Sequence, residues 1–387
     1  MTKGCGQPAN IMQNTAMKAL RIHAGPTARE HIARHGLLPQ HVGVVPGAAG
    51  GPKGLILGAL DRFIFGDWLP QSSQPVDLVG ASIGAWRMAT ACLGNPVAAF
   101  ERLEHDYIHQ HYELPPGQKH PSASQVSEAF GQNLAAFYGG RVDEVLLHPR
   151  YRLHIVTSRG RHLLGREHAL RTPLGYAGAF LTNTVHRKAM GAWLERVVFS
   201  SAGSSVPGAA SAALPFATHD YRTRQVDLSP ANFMPALQAS CSIPFVLKSV
   251  HGIPGAPPGA YWDGGITDYH LHLNYHAKAP GGEGGANLVL YPHFQKAVVP
   301  GWLDKGLKWR HKPTHFLDNM IVLAPDPAWV QTLPNGKLPD RTDFLRYGTD
   351  LPARVQAWNV AASASRQLAD EFSAWLARPD PSQVEPL

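Results

Sequence analysis

The feature that most limits the possible folds is a strand–turn–helix pattern that occurs twice in succession. An apolar segment at 41–46, HVGVVP, leads into the turn GAAGGPKG and a predicted helix from about Lys53 to Trp68. A second apolar segment, VDLVG, leads into GASIG and a helical run that Gly94 and Pro96 help to end. Successive units of this kind are typical of parallel strands joined by crossover helices. The sequence therefore predicts an α/β fold with a mainly parallel central sheet flanked by helices.

Elements elsewhere in the chain are indicated by periodicity and by turn residues. Thr27 is expected to cap the start of a short helix, TAREHIARHGLL, and Gly36 to end it. The loops HGIPGAPPGA and APGGEGGAN are expected at the surface, because glycine and proline dominate them. Further helices are predicted at 96–111, 123–138, 184–197 and 352–377, and further strands at 152–158 and in RQVDLS, AYWDGG, NLVLYPHF and MIVLAP.

Ser82 lies between two glycines in the second turn, GASIG. A nucleophilic serine in a hydrolase follows a strand and opens a helix in this way, because only glycine-sized neighbours fit beside the sharp turn. Its hydroxyl would lie at the N-terminus of the following helix, where free N–H groups and the helix dipole favour negative charge. The alternative is an ordinary serine in a tight turn. The flanking strand and helix favour the nucleophile.

The first turn offers hydrogen-bond donors for an oxyanion. Backbone N–H groups at Gly47, Gly50 and Gly51 are candidates, since this loop joins a strand to a helix. The loop lacks both the Walker spacing of a phosphate-binding loop and the GxGxxG order of a dinucleotide site. Lys53 opposes the helix dipole and is a candidate to order the loop or to attract an anionic substrate. A glycine-rich turn without a donor role is the alternative.

The base for Ser82 has two candidate types. The α/β-hydrolase order requires a later histidine; several follow, of which the last is His315, but none has a compelling flank and HGGG is missing. Asp263, in YWDGGITD, could instead present its carboxylate directly to the serine. A carboxylate is a weak base, so this pair needs a buried site that raises the aspartate pKa. An Asp-Gly turn is the alternative role of Asp263.

The order of GGPKG before a helix, GASIG, ALQASCSIPFVL and DGG resembles the patatin-like phospholipases, which are acyl hydrolases with a Ser-Asp dyad. The resemblance spans about residues 40–270. The family often begins its glycine loop with Asp-Gly-Gly-Gly, whereas this chain has Pro46-Gly47-Ala48-Ala49-Gly50, so one usual donor position is altered. ALQASCSIPFVL is similar to the helix-to-strand segment that precedes the catalytic aspartate in this family.

The resemblance implies a catalytic mechanism that needs no metal and no organic cofactor. It implies that Ser82 is the nucleophile and Asp263 the base, with a lipid or another acyl ester as the substrate. The oxyanion loop implied by the match consists of Gly50, Gly51, Lys53 and Gly54, while Pro52 has no N–H to donate.

The domain organisation expected from these motifs is a single catalytic unit with extensions. Residues 1–37 form a leader and a short helix, 38–330 the catalytic domain, and 331–387 a helical extension of the same domain, with the true start at Met1 or Met17. Within the catalytic domain, residues 95–225 are basic and partly helical and are expected to form an insertion that could cap the core. No secretory signal and no run of about 18 apolar residues is found, which indicates a cytoplasmic protein; peripheral contact with a membrane is a further expectation.

The charge of the chain favours anionic partners. The formal net charge is +7 and the pI is near 9.3. GWLDKGLKWRHK, at 301–312, interleaves tryptophans and cations as an interfacial membrane contact would. The basic run from Arg150 to Arg171 is a candidate for anionic lipid, whereas no nucleic-acid-binding pattern occurs and no nucleic acid is expected. A non-catalytic homologue that binds lipid or protein through the basic insertion at 95–225 is a further hypothesis, and the oligomeric state is left open.

Histidine and cysteine patterns give weaker indications. His270, His272 and His276 lie close together in DYHLHLNYH, and on a strand the first two would share a face, but no full ligand set follows. HDYIH, at 105–109, has zincin-like spacing without the glutamate and is expected to be a solvated helix face. The three cysteines, Cys5, Cys92 and Cys241, are widely spaced and indicate neither disulfides nor a zinc site.

Overall fold

The computed structural model describes residues 17–113, 118, 121–202, 206, 210–275 and 288–387. Within these ranges ten strands form one sheet, and six of the nine strand pairings are parallel. The order is β10-β1-β9-β8-β2-β3-β4-β5-β6, and β7 pairs with β4 beside this path. The strands are β1 Leu20–Ala24, β2 Val42–Gly47, β3 Val76–Ala81, β4 Tyr151–Gly160, β5 Leu194–Ser200, β6 Thr223–Asp227, β7 Tyr261–Asp263, β8 Leu288–Pro292, β9 Met320–Pro325 and β10 Val384–Pro386.

Helices cover the sheet and bury its central strands on both faces. Every residue of β3, β5, β8 and β9 is buried, which explains the continuous apolar runs of β8 and β9. The helices are α1 Pro26–His35, α2 Gly58–Arg62, α3 Ile83–Ala91, α4 Pro96–His109, α5 Ala123–Tyr138, α6 Val142–Leu146, α7 Arg171–Val185, α8 Phe233–Cys241, α9 Gly265–Asp268, α10 Pro327–Val330, α11 Thr342–Tyr347, α12 Leu351–Ala364 and α13 Arg366–Ala377. The predicted α/β architecture with a mainly parallel sheet is confirmed.

The two glycine-containing turns lie side by side at one edge of the sheet. β2 and β3 are parallel neighbours, with Gly47 opposite Gly80 at their carboxyl ends. A 3-10 helix, Gly51–Leu57, follows β2 and continues into α2, whereas α3 follows β3 directly. The carboxyl edge of a parallel sheet is where α/β proteins place their ligands, because the loops after neighbouring strands meet there.

The segment 95–225 does more than cover the core. It supplies β4, β5 and β6, which extend the sheet beyond β3. The helix predicted at 184–197 is wrong: α7 ends at Val185, a 3-10 helix spans Arg187–Ala192, and β5 follows. The β-branched residues of LERVVFS pack between β4 and β6, so burial in the sheet prevails over local helical pattern.

Several element boundaries also differ from the sequence-based expectation. Gly25, not Thr27, precedes α1, because Pro26 takes the first helical position, while Gly36 ends that helix as expected. The helix expected at 352–377 consists of α12 and α13, which meet at Ser365. No strand follows α8 within ALQASCSIPFVL; the chain makes turns there instead. HGIPGAPPGA is largely exposed, whereas APGGEGGAN, Cys5 and the expected leader up to residue 16 lie outside the described residues.

Candidate active site

Ser82 sits in a strained turn between β3 and α3. Its φ and ψ are 58° and −132°, a conformation that side-chain-bearing residues rarely adopt. A Cβ on Gly80 would lie 2.3 Å from the Ala85 Cα, and one on Gly84 would lie 1.8 Å from the Gly47 carbonyl oxygen. Both glycines of GASIG are therefore required by close backbone approach, and the turn places Ser82 at the N-terminus of α3.

Ser240 holds the strained backbone of Ser82. The Ser82 N–H donates to the Ser240 hydroxyl oxygen at 3.0 Å, and that hydroxyl donates to the Val156 carbonyl at 2.7 Å. All three groups are buried, so a missing partner would leave a polar group without compensation. The sequence does not indicate this role of Ser240, because the contact joins α8 to a turn far away in the chain.

Asp263 is hydrogen-bonded directly to Ser82. The Ser82 hydroxyl donates to Asp263 Oδ2 at 2.6 Å, and the Gly265 N–H donates to Oδ1 at 2.7 Å. The residue ends β7, which pairs with β4 in antiparallel orientation and brings Asp263 opposite Thr157. Burial raises the pKa of the Asp263 carboxyl, although the Ser82 hydrogen bond opposes this shift. The carboxylate is thus oriented, with one oxygen facing the serine.

The glycines after Asp263 are also required by space. A Cβ on Gly264 would lie 2.1 Å from the Val156 carbonyl oxygen, and one on Gly265 would lie 2.6 Å from the Ala49 Cβ. DGG therefore lets β7 and α9 approach both β4 and the glycine loop closely.

The residues of the glycine loop, defined here as GAAGGPKG at 47–54, line two different cavities, and only some of their N–H groups are free to donate. Gly50 and Lys53 line the cavity that contains Ser82, whereas Gly51 and Gly54 line an adjacent, mostly apolar cavity. Gly51 has a φ of 57°, which favours glycine. The i to i−3 bonding of the 3-10 helix engages the N–H groups of Lys53 and Gly54, while those of Gly50 and Gly51 have no hydrogen-bond partner in the described part of the chain.

A cavity of about 190 Å³ surrounds Ser82 and Asp263. Apolar and aromatic side chains from three segments form part of its wall, among them Ile243, Ile266 and Trp302. Its charged lining comprises Lys53, Lys305, Asp340, Arg341 and Asp263. A concave, partly apolar site with a few convergent polar groups is what a small ligand or an acyl chain requires.

The histidine candidates do not gather into a metal site. His270 and His272 follow α9 in a turn rather than a strand, and both are buried. His272 contacts the Val298 carbonyl and the Thr314 hydroxyl, and burial lowers its pKa to about 4. His276 lies outside the described residues. In the described ranges no group of three or more His, Cys, Asp or Glu is arranged to hold a metal ion.

His105 and His109 stack on one face of α4 with ring centroids 4.2 Å apart; His105 is exposed, His109 is half-buried, and both are hydrogen-bonded. This arrangement is the solvated helix face expected from HDYIH.

Much of the basic run from Arg150 to Arg171 is used inside the fold. Arg150 donates to backbone carbonyls, Arg152 pairs with Asp77 and Arg159 pairs with Glu195. These guanidinium groups join strands and loops, so they contribute less to an anionic binding surface than the sequence indicates. In the 301–312 segment, Trp302 lines the cavity and Trp309 is exposed.

The chain belongs to the patatin-like phospholipase family, whose model matches residues 48–270. Comparison with curated proteins finds no match. Among solved structures, the chain is similar to VipD from Legionella pneumophila, with 15% sequence identity and a TM-score of 0.35. That similarity covers 86% of this chain and 67% of the other. No helix in the described ranges is long and apolar enough to cross a membrane.

Proposed function

We propose that this protein is a lipid acyl hydrolase of the phospholipase A type, or a related carboxylic ester hydrolase, that uses Ser82 and Asp263 as a catalytic dyad. The observation that carries the proposal is the 2.6 Å hydrogen bond from the Ser82 hydroxyl to a buried carboxylate, inside a cavity and at the N-terminus of α3. Membership of the family supports an ester substrate of lipid type.

Catalysis would proceed through an acyl-enzyme. Asp263 accepts the Ser82 proton as the serine oxygen attacks the ester carbonyl, and it returns the proton to the departing alcohol. Water then attacks the acyl-serine with Asp263 again as base, and the carboxylic acid and free serine are released. Burial raises the pKa of Asp263, which makes its carboxylate a stronger base than an exposed aspartate.

The oxyanion would be stabilised by the glycine loop. We assign the donor role first to the N–H of Gly50, which lines the cavity, and second to the adjacent N–H of Gly51, because the 3-10 helix engages those of Lys53 and Gly54. Lys53 and Gly54 would then shape the loop rather than donate directly. No cofactor or metal enters this scheme.

Two other functions give different experimental outcomes. A histidine-based triad requires an imidazole beside the serine, and among the described residues no histidine lines the cavity. A non-catalytic lipid- or protein-binding role requires Ser82 to be dispensable.

We also infer that the protein works in the cytoplasm and reaches its substrate by peripheral contact with an anionic membrane. An apolar stripe, defined as Leu170, Leu174, Ala177, Leu181 and Val185, runs along the outer face of α7 and is exposed. Phe245 and Val246, which are exposed too, directly follow the cavity-lining Pro244. Exposed cations flank these apolar groups at Arg171, Lys188, Lys308 and Lys312. Apolar residues rimmed by cations suit an anionic lipid surface.

Labelling with a fluorescent fluorophosphonate and hydrolysis of p-nitrophenyl butyrate test the dyad. We expect the wild type to be labelled and active, and Ser82→Ala and Asp263→Asn to lose at least about a hundredfold in kcat while remaining folded. Asp370→Asn, which changes an exposed aspartate on α13, is the matched control and should behave as the wild type.

A folded wild type that is neither labelled nor active would overturn the hydrolase proposal in favour of a binding role. Full activity of Asp263→Asn would exclude the dyad, and a histidine variant as inactive as Ser82→Ala would favour the triad.

A further inference from the structure

Three cations converge on the cavity that contains Ser82. Lys53 comes from the glycine loop, Lys305 from the segment after β8, and Arg341 from the residue before α11. Lys305 Nζ lies 4.0 Å from the Tyr269 ring centroid, and Lys53 Nζ lies 5.2 Å from that of Phe294. In the part of the chain that the structure describes, none of the three cationic groups has an ion pair or a hydrogen bond with a carboxylate. Asp263 and Asp340 are the carboxylates of the lining, so the three cations give the cavity an excess of positive charge.

Neighbouring cations are paired, which makes this group unusual. Arg187 and Arg310 both bond to the buried Asp304. Asp340, an acidic residue of the cavity lining, forms an ion pair with Lys337, with 2.8 Å between Asp340 Oδ1 and Lys337 Nζ. Like charges kept close together without partners are unfavourable unless an anion joins them.

We propose that Lys53, Lys305 and Arg341 bind the anionic group of the substrate, and that a phosphomonoester headgroup is preferred over a choline-capped phosphate. This inference rests on the proposed function, since it names the substrate class of the same site. Arginine binds phosphate through paired N–H donors, and the two lysines add point charges beside it.

A choline group is disfavoured by the same geometry. Quaternary ammonium groups bind over aromatic faces, and the aromatic lining of the cavity includes Tyr269 and Trp302. The Lys305 ammonium already lies over the Tyr269 ring, with the Trp302 ring centroid 6.0 Å away. A second cation would therefore meet both an occupied ring face and repulsion from Arg341.

The protonation equilibria of the lysines are consistent with this crowding. Partial burial of the ammonium, with repulsion from Arg341 and Lys53, lowers the pKa of Lys305 to about 8. The pKa of Lys53 is also lowered, chiefly by burial. A bound phosphate would reverse the repulsive contribution.

Short-chain substrates below their micelle concentration separate headgroup recognition from membrane binding. We expect kcat/KM of the full chain to be at least about tenfold higher for dihexanoyl phosphatidic acid than for dihexanoyl phosphatidylcholine. Arg341→Gln and Lys305→Gln should each reduce the ratio of phosphatidate to p-nitrophenyl butyrate hydrolysis about tenfold or more, mainly through KM.

Arg346→Gln and Lys296→Gln are the matched controls, because these exposed cations belong to the same segments but do not line the cavity. Both should keep the wild-type ratio. Equal kcat/KM for the two phospholipids, with p-nitrophenyl butyrate still hydrolysed, would overturn the anion site and leave the hydrolase proposal intact.

Calorimetric binding to Ser82→Ala tests the site without turnover. Dihexanoyl phosphatidic acid should bind, and the triple variant Ser82→Ala, Lys305→Gln, Arg341→Gln should not. Inorganic phosphate that binds as tightly as the lipid would assign the cations to a free-ion site and overturn headgroup recognition. Failure of the phosphatidate to bind at all would overturn the proposal directly.

Discussion

Ser82 adopts a backbone conformation that residues with a side chain disfavour, and a hydrogen bond to the Ser240 hydroxyl holds it there. Backbone strain of this kind costs about 1–3 kcal/mol and persists only when the surroundings hold it. The Ser240 hydroxyl accepts from the Ser82 N–H and anchors to β4 through Val156. The position of the candidate nucleophile therefore depends on a residue that takes no part in the proposed chemistry.

Replacing Ser240 by alanine should loosen this turn. The buried Ser82 N–H would lose its acceptor, so we expect the free energy of unfolding to fall by about 1–3 kcal/mol. We also expect the fluorophosphonate labelling rate to fall at least about tenfold. Ser242→Ala is the matched control, because the Ser242 hydroxyl bonds to the Gln238 carbonyl instead. Equal labelling rates for the two variants would refute a positioning role for Ser240.

The pH dependence of catalysis should report the protonation of Asp263. In the proposed dyad this carboxyl must be deprotonated to accept the serine proton, and burial raises its pKa above the usual 3.8. Activity should therefore be full at higher pH and be lost as pH falls through a midpoint above 3.8. The measurement is kcat/KM for p-nitrophenyl butyrate against pH, with circular dichroism to confirm folding. A midpoint at or below 3.8 would contradict the raised pKa.

At the scale of elements, a buried ion pair joins the helices that follow the two turns. Arg87 on α3 bonds to both carboxylate oxygens of Asp61 on α2, at 2.6 and 2.7 Å, and both side chains are buried. This bidentate geometry fixes the separation and the relative rotation of α2 and α3. The spacing between the glycine loop and Ser82 therefore depends on this ion pair, because α2 continues the 3-10 helix of the loop and α3 begins directly after Ser82.

Removing one partner of this ion pair should lower the free energy of unfolding far more than replacing both partners by apolar residues. Arg87→Ala leaves the Asp61 carboxylate buried and unpaired, so we expect the free energy of unfolding to fall by about 3–5 kcal/mol. The double variant Arg87→Met, Asp61→Leu should recover most of that loss, because it removes both buried charges. Urea unfolding measures both. A loss below about 1 kcal/mol in Arg87→Ala would show that α2 and α3 are held by packing alone.

At the scale of the whole molecule, the net charge of +7 and the apolar stripe of α7 both bear on how the protein would contact an anionic membrane. α7 is fastened to the 301–312 segment, because Asn183 bonds to Asp304 and Arg310 donates to the Asn183 carbonyl. The helix that carries the stripe is thus attached to the segment that supplies Trp302 and Lys305 to the cavity.

Association with vesicles tests this surface. Leu174→Glu with Leu181→Glu should weaken binding to phosphatidylglycerol-containing vesicles at least about tenfold, since each leucine contributes roughly 1.5–3 kcal/mol when buried. Binding should also weaken as salt is raised, because anionic lipid attracts the basic surface. Val360→Glu, at a half-exposed valine of α12, is the matched control and should bind normally. Unchanged binding of the double variant in vesicle sedimentation would reject the α7 surface.

The parts of the fold that could be predicted from the sequence are those set by neighbouring residues. The turns GASIG and GAAGGPKG, the strands before them and the start of α3 are visible as apolar runs followed by glycine-containing turns, and at Gly80 glycine is needed because Ala85, five residues on, lies too close for a Cβ. The sequence does not predict β1 and β10, because each is short and is stabilised by pairing with distant strands. The sequence pattern predicts a helix across β5, whose pairing with β4 and β6 is likewise not visible in its local sequence.

The sequence by itself therefore determined the α/β class, the strained turn at Ser82 and Asp263 as the candidate base. Only the tertiary structure decided that Ser240 supports this turn and that Lys305 and Arg341 join Lys53 around it. Ser240 and Ser82, for example, are 158 residues apart in the chain. No local periodicity encodes such distances, because strand order and loop packing are decided by burial across the whole sheet.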